Sequence, residues 1–240
     1  MKVLVYTAIF DDYDLLMDAS NLQRDNVSNL GTIVPTVDTT FLCITDCIPK
    51  NECVEKGWIQ YYADLPLTPT EANRFCKLNI AEKKHPIHNY EYDICIYLDG
   101  NKWIKNMDLL LKYCQKLYES DKSILLSNHW GRTTVLQEIQ ELIKLSLIPE
   151  DIAKSLYMDY LYSGFKDDCG LYCASVQIRK NNMIARDLLW EWGNEFREVP
   201  YRDQILLPYI LWRYNYMNEI MIIDAKELLS FVEHKPHLGG

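Results

Sequence analysis

Seven short apolar runs punctuate the chain, at residues 3–6, 40–45, 58–62, 94–98, 123–127, 172–178 and 220–223, and stretches of helical periodicity lie between several of them. Alternation of this kind predicts an α/β fold with a mostly parallel central sheet flanked by helices. Thr70 can cap a helix beginning near Glu71, and Pro86 closes the segment that carries Arg74 and Lys77. Beyond Asp99-Gly100-Asn101, the residues Leu110, Tyr113, Cys114 and Leu117 recur at helical spacing and form one apolar face. Further helices are expected over 135–146, 149–162, 183–196 and 203–214.

No repeat, low-complexity tract or long Gly/Ser linker divides the sequence, so one domain over 1–240 is expected. Residues 1–101 carry the simpler strand and helix alternation, as a donor-binding half would. Residues 102–240 are richer in helices and aromatics, as an acceptor-binding and catalytic half would be.

Composition narrows the classes. Of 240 residues, 48% are hydrophobic and 25% charged, which suits a globular chain with a sizeable core. A formal net charge of −9 argues against a protein that holds nucleic acid by neutralising phosphates. The apolar start soon meets Asp11, Asp12 and Asp14, which does not suit a signal peptide, and no segment approaches the ~20 apolar residues of a membrane span. A cytoplasmic protein is expected, with peripheral membrane association left open. The eight cysteines fall mostly in apolar stretches and read as buried free thiols. Cys43, Cys47 and Cys53 lack the paired spacing of a zinc site.

The segment Tyr92 through Asn101 is an apolar strand ending in an acid, a glycine and an amide. In an open α/β sheet, ligands bind beyond the carboxyl ends of the strands, where Asp99 emerges. A carboxylate there can hold Mg²⁺ or Mn²⁺, which bridges a nucleotide diphosphate, and Gly100 allows close backbone approach. A plain turn, with Asp and Asn satisfying backbone groups, is the competing account.

That triplet belongs to an ordered series: Tyr6-Thr7-Ala8-Ile9-Phe10-Asp11-Asp12-Tyr13-Asp14; Cys43-Ile44-Thr45-Asp46; Asn73-Arg74-Phe75-Cys76-Lys77; residues 92–104; Gly170-Leu171 leading to Ile178-Arg179; and Arg202-Asp203-Gln204-Ile205-Leu206. In this order the blocks resemble a glycosyltransferase-like family formerly listed as a domain of unknown function, with plant mucilage-type and bacterial members. The resemblance implies a GT-A fold, a nucleoside-diphosphate-sugar donor, a glycan acceptor, and Mn²⁺ or Mg²⁺ held by Asp99 and Asn101. The chain departs from the family at His129-Trp130-Gly131-Arg132, where a His-Pro-x-Arg block is usual, and at Asn101, where a second acid is usual.

On that resemblance, the backbone of Thr7, Ala8 and Ile9 lines a nucleotide base on which Tyr13 stacks; ordinary packing is the other account of Tyr13. Arg74 and Lys77, three apart on one helix, reach a diphosphate unless they form a solvated helix face. Asp203 and Gln204 resemble the Asp-Gln pair of retaining glycogenin- and galactosyltransferase-type enzymes, which implies a catalytic role at the sugar. An acid at a helix start also serves the helix alone. His234-Lys235-Pro236-His237 resembles the C-terminal segment of those enzymes, with His234 on metal and Lys235 on phosphate; a disordered tail is the alternative.

The reading is sugar transfer from a nucleotide donor, uridine-based by preference, with retention of configuration. Its rivals are a metal-dependent hydrolase or nucleotidyltransferase using Asp99 and His129, and a non-catalytic carbohydrate-binding or protein-binding module drawing on 17 Tyr and 6 Trp.

Overall fold

The first apolar run forms β1 (Lys2–Ile9), and all but its first residue are buried. A strand apolar on both faces belongs in the middle of a sheet covered on both sides. The computed structural model describes residues 1–22, 37–198 and 202–237. It continues with β2 (Asp38–Thr45), α1 (Lys50–Glu55), β3 (Ile59–Tyr62), α2 (Pro69–Leu78), β4 (Ile94–Asp99), β5 (Lys102–Ile104), α3 (Met107–Glu119), β6 (Ile124–Asn128), α4 (Val135–Lys144), α5 (Glu150–Tyr162), β7 (Tyr172–Lys180), α6 (Met183–Glu198), α7 (Asp203–Arg213), β8 (Ile220–Ile223), α8 (Ala225–Phe231) and β9 (Val232–His234).

Seven strands form one sheet in the order β3-β2-β1-β4-β7-β6-β8. Every neighbouring pair is parallel except the two that involve β7. The expected α/β fold with a mostly parallel sheet is therefore what the chain adopts. On one face, Leu4, Tyr6 and Tyr97 pack with residues of α2, α4, α5, α6 and α7. On the other, Val3, Val5 and Ile96 pack with α1, α3 and α8. Apart from this sheet, β5 and β9 form a short antiparallel ladder that sets Lys102 opposite His234.

Helix ends differ from the sequence expectation in one instructive place. The cap of α2 is Thr68, not Thr70: its hydroxyl accepts from Glu71 N, while the Glu71 carboxylate accepts from Thr68 N at 2.9 Å. Pro69 then occupies the first helical position, where its fixed φ and missing N–H cost nothing. The helix ends at Leu78, and Pro86 opens a separate 3₁₀ turn rather than closing α2. All eight cysteines are free thiols, five of them buried. Among the described residues no helix is long and apolar enough to cross a membrane.

Candidate active site

In the sheet, Ala8 at the end of β1 lies beside Asp99 at the end of β4. From β1 the strand order continues to β2 on one side and to β4 on the other, so the topology switches between these two strands. At such a point the flanking connections diverge and leave a crevice at the carboxyl ends. A cavity of about 530 Å³ opens there, lined by Ala8, Ile9, Tyr13, the triplet Asp99-Gly100-Asn101, and residues of α2 and α7. Because β7 runs antiparallel, its beginning reaches the same rim, and Ala174 and Ser175 join the lining.

One wall of the cavity is an ion cluster. Arg74 and Lys77 share one face of α2, and both reach Asp203 at the start of α7: Arg74 Nε lies 3.2 Å from Oδ1 and Lys77 Nζ lies 2.6 Å from Oδ2. Lys77 Nζ also approaches Asp99 Oδ1 at 3.4 Å. Lys77 and Asp203 are only 1% and 3% exposed, so a solvated helix face does not describe this pair. Burial pushes the Asp203 carboxyl up, but Arg74 and Lys77 outweigh it and hold the group well below the usual carboxylate range. Arg74 is shifted the other way: burial opposes its charge, and Asp203 and Asp99 more than restore it.

The cluster is braced from below. Arg179 of β7 is fully buried and donates to the Lys77 carbonyl at 2.8 Å, to Tyr6 Oη at 2.7 Å and to Gln177 Oε1 at 2.6 Å. Asn73 ties α2 to β1 through Ala8 O at 2.7 Å and accepts from Tyr97 Oη at 3.2 Å. The same Tyr97 hydroxyl lies 2.9 Å from Asp99 Oδ1, so its one proton is shared between the two acceptors.

The triplet meets the C-terminal segment. A Cβ at Gly100 would sit 2.6 Å from Asp14 Oδ2 and 2.8 Å from Asp14 Cβ, so only glycine admits Asp14 here. Asp14 Oδ1 is 2.6 Å from His237 Nδ1, and the Asn101 amide nitrogen is 3.0 Å from His237 Nε2. A proton on Nδ1 satisfies both contacts, leaving Nε2 as an acceptor. The Tyr13 ring lies 4.5 Å from the His237 ring, centroid to centroid.

Placement separates the sequence candidates. Ala8, Ile9, Tyr13, Arg74, Lys77, Asp99, Gly100, Asn101, Asp203 and Gln204 all border one cavity. Thr7 is buried in the core, its hydroxyl without a partner among the described residues, and it does not line that cavity. His234 faces Lys102 Nζ at 2.7 Å on the β5–β9 ladder, while Lys235 pairs with Glu233 at 2.9 Å and covers the Trp103 ring. The histidine that reaches Asn101 is thus His237, three residues beyond the one singled out from the sequence. His129 borders a second cavity of about 220 Å³ and not the one that holds Asp99. Gln204 borders both, and its Nε2 is buried without a partner among the described residues. Pro208 in α7 removes the N–H that would bond the Gln204 carbonyl, which loosens the helix beside this residue. Sequence reading passed over Asp14, Asn73, Ser175 and His237 as site residues; Asp14 and Asn73 stood inside the ordered blocks, and His237 inside the tail motif.

The donor chemistry suits a hard divalent cation. Asp99 and Asn101 supply oxygens, and the Asp14 carboxylate fixes His237 in the tautomer with an unprotonated Nε2, which here accepts from the Asn101 amide nitrogen and would have to exchange that contact to ligate a metal. Among the described residues no three His, Cys, Asp or Glu side chains converge on one point. Mg²⁺ commonly takes one or two protein carboxylates and completes its shell with phosphate and water, which is the arrangement these residues fit.

No protein-family model matches the sequence, and no curated protein sequence does either. Solved structures share the fold. Mouse xyloside xylosyltransferase 1 superposes with a TM-score of 0.52 over 93% of this chain and 86% of its own, at 9% identity. Glucosyl-3-phosphoglycerate synthase from Mycobacterium tuberculosis, in complex with phosphoglyceric acid, gives 0.50 over 98% of this chain and 72% of its own, at 12% identity. The bifunctional glycosyltransferase WbbM gives 0.50 at 12% identity, this chain spanning 38% of it. The chain therefore has the GT-A type of fold, and identities this low carry the fold alone.

Proposed function

We propose that the chain is a glycosyltransferase that uses a nucleoside-diphosphate sugar, by preference a uridine one, and transfers the sugar to a hydroxyl of a glycan acceptor. The observation that carries the reading is the Arg74-Lys77-Asp203 cluster set beside Asp99 at the β1/β4 switch point. A binding site for a doubly charged diphosphate needs cations fixed in place, and here they are held by buried Asp203 and half-buried Asp99 rather than left to search. The blocks running from Tyr6 to Leu206 support membership of the glycosyltransferase-like family they resemble, and the fold shared with sugar transferases agrees with it.

In this reading Ala8, Ile9 and Tyr13 receive the nucleoside, while Asp99, Asn101 and His237 would hold Mn²⁺ or Mg²⁺. The metal supplies electrostatic stabilisation of the leaving diphosphate. Lys77 and Arg74 add positive charge on the same side. Asp203, locked by its two cations, orients donor hydroxyls, and Gln204, whose amide nitrogen has no partner among the described residues, stands where the two cavities meet. The bond from the anomeric carbon to the phosphate oxygen breaks with its electron pair going to the diphosphate, and a bond to the acceptor hydroxyl forms. The hydroxyl proton leaves to the departing phosphate oxygen, which places both events on one face and retains configuration.

A panel of nucleotide sugars, titrated with and without Mn²⁺ while thermal unfolding is followed, tests this reading. At 100 times its Kd a true donor adds about 2.7 kcal/mol, which raises Tm by about 5–10 °C for a chain of this size. A panel in which no nucleotide or nucleotide sugar shifts Tm, with or without the metal, overturns it.

A further inference from the structure

Trp130 follows β6 and is 77% exposed, so the core does not need it. Its ring nevertheless has a fixed backing. The His129 ring lies parallel to it, 5.6 Å between centroids at 24°. His129 is itself pinned: its backbone N donates to Leu171 O at 2.8 Å, and its Nδ1 accepts from Gly131 N and Arg132 N at 3.1 and 2.9 Å. An indole held this way presents its other face to solvent as a flat, pre-ordered surface.

The cavity of about 220 Å³ beside Trp130 is not separate from the larger one. Lys102, Ser175 and Gln204 line both, so the two meet at the residue already placed between donor and acceptor. Its walls are of two kinds: Leu228, Leu229 and Val232 are apolar, while Glu233, His234 and Ser175 offer hydrogen-bonding groups. A pyranose ring has the matching pattern, a face of C–H bonds and a rim of hydroxyls. The volume falls below the ~300–1,000 Å³ usual for drug-sized ligands, which suits a single ring.

We propose that this pocket is a pyranose-binding subsite in which Trp130 stacks on the C–H face of one sugar ring. Resting on the donor reading of the larger cavity, it is the acceptor's subsite, with Gln204 at the junction. Acceptors that begin with a pyranose then bind at Trp130 before their hydroxyl meets the donor.

Saturation-transfer NMR on the full chain, with methyl glucopyranosides and methyl galactopyranosides as probes, tests the subsite without a donor. The expected result is transfer to the ring C–H protons of at least one glycoside. Trp130→Ala should weaken that glycoside about tenfold, equivalent to about 1.4 kcal/mol, and Trp130→Phe should weaken it less. The exposed position of Trp130 means that both variants should keep the wild-type Tm, which separates lost stacking from lost folding. No binding of any methyl pyranoside by the wild type, binding unchanged in Trp130→Ala, or saturation of adenosine in place of the glycosides overturns the subsite. Calorimetric titration of uridine diphosphate into the same wild-type sample reads the donor cavity alone. Glycoside binding that depends on Trp130, without nucleotide binding, upholds the subsite and removes the donor reading; nucleotide binding without glycoside binding does the reverse.

Discussion

At the scale of single residues, Asp203 concentrates more consequence than any other side chain. It is buried between Arg74 and Lys77, and Lys77 is itself almost without solvent. Asp203→Asn keeps the shape and removes the charge, leaving buried Lys77 and half-buried Arg74 facing one remaining acid, Asp99. Breaking a buried pair in this way costs about 3–5 kcal/mol, so the variant should lose stability as well as sugar transfer, measurable by denaturant unfolding at pH 7. The pH dependence has a definite sign. The folded carboxyl is held below its unfolded value of about 3.9, so between the two the unfolded chain binds more protons and stability rises with pH. The contribution is complete above about pH 4 and is lost as pH falls below it. Unfolding from pH 6 down to pH 2 should therefore steepen below pH 4 in the wild type and flatten in Asp203→Asn; parallel curves would remove Asp203 as the cause. Gly100 makes a second residue-level prediction. An added methyl collides with the Cβ and carboxylate of Asp14, which holds His237, so Gly100→Ala should displace both and weaken nucleotide binding about tenfold or more in calorimetry. Of these residues, Asp203, Gly100 and Asn101 were legible in the sequence because they sit in short motifs. Asp14 and His237 acquire meaning only once residues 223 positions apart touch.

Secondary-structure elements were legible in proportion to their length and to the burial of their pattern. All seven strands of the main sheet coincide with the runs read from the sequence; central β1 and β4, covered on both faces, write themselves as continuous Val, Ile, Leu and Tyr, whereas the edge strand β3 is mostly exposed and shows only as Ile59-Gln60-Tyr61-Tyr62. Three-residue β5 and β9 and six-residue α1 are too short for any period to register. Yet β5 and β9 carry Lys102 to the rim of the larger cavity and His234 to the smaller one. The misread start of α2 has the same local character: Thr68-Pro69-Thr70-Glu71 holds two threonines, and Glu71 stands three residues after the first. Since α2 bears Arg74 and Lys77, its first turn also sets the register of the cations. Thr68→Ala should lower stability by about 1 kcal/mol in thermal unfolding, while Thr70→Ala should change it by less than half of that. Equal losses in the two variants would return the cap to Thr70. Arg179 shows the opposite limit. A lone arginine at the end of an apolar strand reads as a surface residue, and here it is fully buried, anchoring the last turn of α2 through the Lys77 carbonyl.

On the scale of the whole molecule, the candidate site is assembled from segments spread over almost the entire chain. Residues near 8–14, 73–77, 99–102, 175, 203–204 and 237 meet at one crevice because β1 and β4 are neighbours and β7 runs against them. The last contribution comes from the C-terminal segment. After the three-residue ladder of β9 with β5, Lys235 N donates to Asn101 O at 2.9 Å, and the chain carries His237 to Asp14 and Asn101. This segment adds little to either packed layer: the last residue of the apolar clusters is Val232. It should therefore matter to ligand binding far more than to folding. A chain ended after Glu233 loses His234, Lys235 and His237 while keeping both layers and all seven strands of the main sheet. Its Tm should stay within about 5 °C of the wild type, since loss of about 1 kcal/mol moves Tm by about 2–4 °C at this size. Uridine diphosphate binding in the presence of Mn²⁺ should weaken at least tenfold, because the imidazole proposed to hold the metal and its supporting contacts are removed together. His237→Ala should reproduce most of that loss, and His234→Ala little of it, since His234 is engaged with Lys102 at the ladder. If His234→Ala carries the loss and His237→Ala does not, the proposal that His237 serves the metal fails and the assignment returns to the β5–β9 ladder.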